Sequence, residues 1–314
     1  MALKIIKGTE TIPVDHPIFM IFGEPGICKS SLGYSMKDPL TLDFDHGAHR
    51  AVNRRDTLLI NGWPDVVELN DEALEPYGSI VVDTVGRCLE FITADIARTD
   101  AKKAPGGTLT MQGWGVLKTR FASWTSSIRS YGKDLLFISH EKEDKDGELR
   151  IMRPDIAGGS YGEVMKSADF IGRVYMIGKD RFLDFNPTDR WVGKNPGAWE
   201  PFKIPPAGKA TDFMAELVDR GRSVLGKISE ASAVAANSVI DWRTMIGDFK
   251  TAADFNATIP KVKDIASKII QDQVIKLLFD AADAKKITFD QEKKVFSDPV
   301  QTKQEPPVTA GRLL

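Results

Sequence analysis

Residues 18–31, IFMIFGEPGICKSS, restrict the fold more than any other stretch of the 314-residue chain. The apolar run 18–22 ends in glycine, as a strand buried on both faces of a parallel sheet should read. Gly23 and Gly26 open a turn, and Lys29 and Ser30 begin a helical pattern that reaches Met36. A phosphate-binding loop needs that order, because glycines let backbone N–H groups converge on phosphate oxygens and the helix N-terminus adds its dipole. On this reading Gly23, Glu24, Pro25, Gly26, Ile27, Cys28, Lys29, Ser30 and Ser31 hold the phosphates of ATP. Lys29 would reach the β- and γ-phosphates, and the Ser30 hydroxyl would ligate Mg²⁺.

One position departs from the usual G-x-x-x-x-G-K-S/T pattern: Cys28 stands where glycine precedes the lysine. Three alternatives to a working loop stay open. The match is accidental; the loop keeps its shape but binds or hydrolyses nucleotide poorly, since a Cβ crowds phosphates and disfavours the glycine conformation; or Cys28 is a nucleophile, its thiol activated by the helix N-terminus. The last lacks a paired base.

Further apolar runs at 39–44, 79–83 and 135–139 read as strands. Leu117, Phe121, Trp124 and Ile128 recur at helical spacing, giving a helix near 113–130 one apolar face. Strands alternating with helices imply a mainly parallel α/β sheet. The run 79–83 ends in Asp83 and continues into Thr84 (IVVDT), the shape of a Walker B strand whose carboxylate holds the Mg²⁺ shell beside Ser30. Strands at 173–177 and 181–185 flank a Gly-Lys-Asp turn and suggest a hairpin.

Pro196, Pro201, Pro205 and Pro206 interrupt the pattern, placing a nucleotide-binding domain over 1–207. A linker helix (211–228) and an Ala/Ser-rich joint fill 208–239. A helical module follows over 240–296, with helices at 240–249, 262–283 and 289–296. The polar, proline-bearing 297–314 reads as a disordered tail.

A net charge of −2 gives no global basic field, so nucleic-acid binding would need a local patch. In the loop 98–115, Lys102 and Lys103 could meet phosphates and Trp114 could stack a base, although Trp114 opens an amphipathic helix and packing is its simpler use. Two cysteines, Cys28 and Cys88, argue against a disulfide framework and for a reducing cytosol. No signal-peptide core and no membrane-spanning apolar run are visible, so a cytoplasmic protein without membrane contact is expected.

Longer segments carry a resemblance. LDFDHGAHRAVNRRD (42–56), IVVDTVGR (80–87), GGTLTMQGWGVLK (106–118), GKDLLFISHEKE (132–143), GGSYGEVMKSADFIGR (158–173) and FNPTDRWVGKNPG (185–197) are similar to RecA-like nucleotide-binding proteins of bacteriophages and prophages. Those are AAA-family ATPases related to the ATPases of phage single-strand-annealing systems, and the likeness spans roughly 15–205. It implies a RecA-like P-loop core, Mg²⁺-dependent ATP hydrolysis, and work on single-stranded DNA in phage recombination, annealing or replication within a bacterial host cell. A homo-oligomer and a single-stranded DNA-binding protein as partner are also implied.

The resemblance gives Asp45 the role of general base and His140 that of γ-phosphate sensor. It gives Lys194 of GKNPG the role of a finger reaching a neighbour's γ-phosphate, with Pro196 where the family segment carries arginine. The segment 141–167 stands where such proteins carry a DNA-contacting loop, with Arg150, Arg153 and Lys166 as phosphate contacts. Each has a plainer use: Asp43 and Asp45 as turn caps, His140 as a polar strand end, Lys194 as a solvated lysine, EKEDKDGE as charged surface. A nucleotide-binding switch with weak hydrolysis, and a P-loop kinase acting on a small substrate, remain the alternative functions.

Overall fold

The computed structural model describes residues 5–146 and 149–299. The chain runs β1 (Ile18–Gly23), α1 (Lys29–Gly33), β2 (Pro39–Asp43), β3 (Thr57–Leu59), α2 (Trp63–Val67), α3 (Asp71–Leu74), β4 (Ser79–Asp83) and α4 (Val85–Thr99). It continues through α5 (Met111–Ser130), β5 (Asp134–Asp146), β6 (Leu149–Pro154), α6 (Ser160–Ser167), β7 (Phe170–Ile177), β8 (Asp180–Asp184) and β9 (Phe202–Ile204). Last come α7 (Phe213–Gly247), α8 (Ala252–Lys263), α9 (Lys268–Ala284), β10 (Thr288–Asp290) and β11 (Val295–Ser297).

Nine strands make one sheet in the order β3-β2-β4-β5-β1-β7-β8-β9, with β6 paired to β5. From β3 to β7 along that order the pairing is parallel; β8 and β9 close one edge antiparallel. The expected α/β class, a mainly parallel sheet flanked by helices, is therefore present, as is the 173–185 hairpin. Alternate side chains of the central strands face opposite layers. Met20, Phe22, Val82 and Phe137 pack toward Ile92 of α4 and Phe121 and Trp124 of α5. Phe19, Ile21, Val81 and Ile138 pack toward Met214, Leu217 and Val218 of α7. Burial on both faces is why these strands read as continuous apolar runs.

The contacts divide the chain into two compact units, Pro13–Lys227 and a second unit formed by Ile228 onward together with the segment up to Ile12. That division falls inside α7. Residues 229–239, expected as a joint, are continuous helix, because alanine, four times present there, is the strongest helix former and no proline or glycine interrupts it. The second unit packs α8, α9 and the end of α7 around Phe255, Val262, Val274, Leu278 and Phe296.

The expected helix over 289–296 is instead the hairpin β10–β11. Phe289 and Phe296 face each other across the strands, and the Asp290 carboxylate accepts from the Glu292 and Lys293 amides, fixing the turn. Asp298 still belongs to this unit, accepting from the Ala252 amide at 2.7 Å. The rest of the expected tail, from 300, lies outside the described residues.

Candidate functional site

The parallel strands end together on one edge of the sheet, where crevices of open α/β sheets form. Gly23 of β1 is paired with His140 of β5, and Asp83 of β4 with Asp43 of β2. Gly23 must be glycine, since a Cβ there would collide with the Val174 carbonyl of β7. The loop that follows turns through Gly26 (φ +79°) and Cys28 (φ 71°, ψ 31°) into α1.

Cys28 thus holds the left-handed conformation of the glycine it replaces. L-residues occupy that region at a cost of about 1–2 kcal/mol, so the loop keeps its shape under local strain. Cys28→Gly is expected to leave stability unchanged or raise it by up to about 1 kcal/mol, the relieved strain being partly offset by added unfolded-chain entropy. Cys28→Val, β-branched, is expected to lose stability. Urea denaturation of the three proteins checks the order glycine, cysteine, valine.

Lys29 is only 5% exposed. Its ammonium donates to the Gly23 and Glu24 carbonyls, both at 2.8 Å, curling back across the loop. Desolvation lowers its pKa to about 8, against the opposing pull of Asp83, Glu141 and Asp45. Asp83 ends β4, which β5 separates from β1. Burial holds its carboxyl above the ordinary carboxylate range; a hydrogen bond from the Ser30 hydroxyl opposes this, while Asp45 and Asp43 add to it. The Asp83–Thr84 peptide is cis.

The structure separates the two aspartates of LDFDHG. Asp43 is buried and accepts from the Gly47 (3.0 Å) and Ala48 (2.8 Å) amides, so it is the turn cap. Asp45 faces the crevice with His140 Nε2 at 3.7 Å and Arg87 Nε at 3.4 Å. Burial raises the Asp45 pKa, but His140, a hydrogen bond from Thr84 and the Arg87 charge outweigh it, leaving a carboxyl below its usual value. These groups line a cavity of about 300 Å³ with Gly26, Cys28, Lys29, Ser30, Ser31, Asp43, Asp45, Arg50, Asp83 and His140 on its walls.

Arg50 and Arg87 were not expected from the sequence. Neither carries a motif of its own; the turn after β2 and the first turn of α4 bring them to the site. Glu141 was placed only in the DNA-contacting segment. It follows His140 and makes a buried bidentate pair with Arg173 (2.8 and 3.1 Å), whose guanidinium lies over Trp191.

Lys194 is not at this edge. Its ammonium donates to the Ala168 carbonyl at 2.6 Å, and its backbone pairs with Ile171, toward the opposite end of β7. The expected DNA loop is largely hairpin: β5 runs on to Asp146 and pairs with β6. Arg150 bonds Glu143, Arg153 lies 3.5 Å from Asp144, and Lys142 lies 3.7 Å from Asp155. Trp114 is half-buried and covers Gly158; Lys103 pairs with Asp100.

No group of three or more His, Cys, Asp or Glu side chains suited to a metal ion occurs among the described residues. Mg²⁺ carried with a nucleotide needs no such cage, since phosphates and waters complete its octahedron around one or two protein oxygens. Ser30 and Asp83, already in mutual contact at the cavity wall, fit that donor set. No helix among the described residues is long and apolar enough to cross a membrane.

A phosphate loop on the central strand of a mainly parallel sheet, with a carboxylate one strand removed, defines a P-loop nucleotide-binding protein. The chain belongs to the AAA domain family, which matches residues 16–196. Among solved structures, a KaiC-like protein of Pyrococcus horikoshii OT3 is similar at 8% identity over 55% of this chain and 86% of that one, with a TM-score of 0.33. The flagellar accessory protein FlaH of Methanocaldococcus jannaschii is similar at 12% identity over 62% and 88%, with a TM-score of 0.35. Among curated proteins there is no match.

Proposed function

We propose that this chain is an ATPase that binds ATP with Mg²⁺ and couples its hydrolysis to single-stranded DNA, in recombination, annealing or replication of a bacteriophage. One observation supports hydrolysis above all: Lys29, Ser30, Asp83, Asp45 and His140 line a single cavity at the end of β1. Lys29 and the loop amides hold the phosphates. Ser30 and Asp83 hold Mg²⁺, which when bound neutralises phosphate charge. Asp45, ionised at neutral pH, accepts a hydrogen bond from the attacking water and orients it, while His140 links that carboxylate to β5. The water oxygen bonds to the γ-phosphorus as the bridging bond breaks; ADP keeps that electron pair and the water proton leaves with inorganic phosphate or solvent.

The DNA part rests on the resemblance of 42–56, 106–118 and 158–197 to phage RecA-like proteins. In the β5–β6 hairpin each arginine has an acidic neighbour, so DNA phosphates would have to displace Glu143 and Asp144; Lys166 and Lys102 are freer contacts. Lys194 would serve a neighbouring subunit only after leaving the Ala168 carbonyl.

Steady-state phosphate release with and without an oligothymidylate tests both parts. Turnover that rises with the oligonucleotide, and falls again with added salt as phosphate contacts are screened, is the expected result. Turnover indifferent to DNA would leave an ATPase without that partner. Bound nucleotide with no turnover in either condition would favour the switch, and a Cys28→Gly gain above about tenfold, roughly 1.4 kcal/mol, would locate the impairment in the loop.

A further inference from the structure

We infer that Arg50 is a catalytic residue supplied by the same subunit, its guanidinium binding the γ-phosphate and stabilising the charge that develops there. The inference rests on the nucleotide reading above and adds a residue to it.

The cavity walls carry three carboxylates, Asp43, Asp45 and Asp83, and two full cations, Lys29 and Arg50. A triphosphate brings further negative charge into that space, so cations able to turn toward it are needed. Lys29 already donates to two loop carbonyls. Arg87 is held by Asp45 and by Glu90. Lys194 donates to Ala168 at the far end of β7. The Arg50 guanidinium, by contrast, has no hydrogen-bond or ion-pair partner among the described residues and is exposed at the rim.

Its position is set by structure. Both Asp43 oxygens hold the Gly47 and Ala48 amides, fixing the short 3₁₀ turn Ala48–Arg50 that presents the side chain. Gly47 leaves the guanidinium room, for a Cβ there would meet its terminal nitrogen. A forked, permanently charged donor suits phosphate oxygens. Because it follows Asp45, which orients the attacking water, and lines the same cavity, it would contact the terminal phosphate and leave those of ADP to Lys29 and the loop.

The test measures affinities for fluorescent N-methylanthraniloyl ATP and ADP, together with turnover, for wild type, Arg50→Met, Arg50→Ala and Lys29→Ala. Both Arg50 variants are expected to keep wild-type ADP affinity, which also shows that they fold. They should lose the preference for ATP over ADP by about tenfold and lose turnover by at least that factor. Unchanged preference and turnover in both would overturn the assignment while leaving the nucleotide site intact. Lys29→Ala binding both nucleotides as wild type does would overturn the nucleotide reading itself. Should wild type show no turnover, the ATP-to-ADP affinity ratio alone decides on Arg50.

Discussion

Replacing Lys29 with alanine is expected to lower nucleotide affinity by roughly 100-fold or more and to remove detectable hydrolysis. Truncating one member of a buried charge pair costs about 2–5 kcal/mol, and Lys29 is buried at the phosphate loop. Isothermal titration with ADP and ATP checks the binding loss, and phosphate release checks the turnover. An affinity reduced less than about threefold would mean that the loop does not hold phosphate through this lysine.

Its lowered pKa adds a pH signature. The folded, nucleotide-free protein releases the Lys29 proton near pH 8, whereas the unfolded chain keeps it to 10.5. Between those values the unfolded chain binds more protons, so stability of the free protein rises with pH, by up to about 3 kcal/mol across the window. Below pH 8 both states are protonated and the slope vanishes. Phosphates stabilise the charged ammonium, so nucleotide affinity should be flat below about pH 8 and fall above it. Lys29→Ala should abolish both slopes.

The loop and its strand were legible because every signal is local: an apolar run, glycines where backbones approach or φ is positive, and Lys-Ser at the helix start. The part that Cys28 plays was not. Whether a cysteine accepts φ 71° depends on how firmly β1 and α1 hold the turn between them, and that is a property of the fold. Asp43 and Asp45 were indistinguishable in LDFDHG because a side chain's partner, amide or open crevice, is fixed by the turn that follows. Arg87 and His140 meet Asp45 only because β2, β4 and β5 are neighbours in the sheet.

Charged segments misled for a related reason. EKEDKD carries no apolar alternation, and its strand conformation comes from pairing with β6 and from diagonal Glu143–Arg150 and Asp144–Arg153 pairs. QEKK at 291–294 suits a helix by propensity, yet the Phe289–Phe296 pair and the Asp290 cap override it. In each, tertiary pairing outweighs a weak local preference.

Asp45→Asn should lower turnover by about 10²- to 10⁴-fold, the usual range for losing a carboxylate positioned on the attacking water's proton, while ADP affinity stays within about threefold. The asparagine keeps the shape and can still accept a hydrogen bond, but it has no charge to orient water or to attract His140 and Arg87. The pH profile separates this residue from Asp83. The Asp45 carboxyl lies below its ordinary value, so it is ionised throughout the mildly acidic range and cannot cause activity loss there. The Asp83 carboxyl lies above its ordinary value and takes up a proton first as pH falls. Protonation removes the charge that Mg²⁺ requires, so the acid limb of kcat/KM belongs to Asp83. Raising Mg²⁺ should displace that limb to lower pH, because metal and proton compete for one carboxylate. Asp45→Asn should keep the limb where it is at reduced height. A limb that vanished in Asp45→Asn, or stood still as Mg²⁺ was raised, would reverse the two assignments.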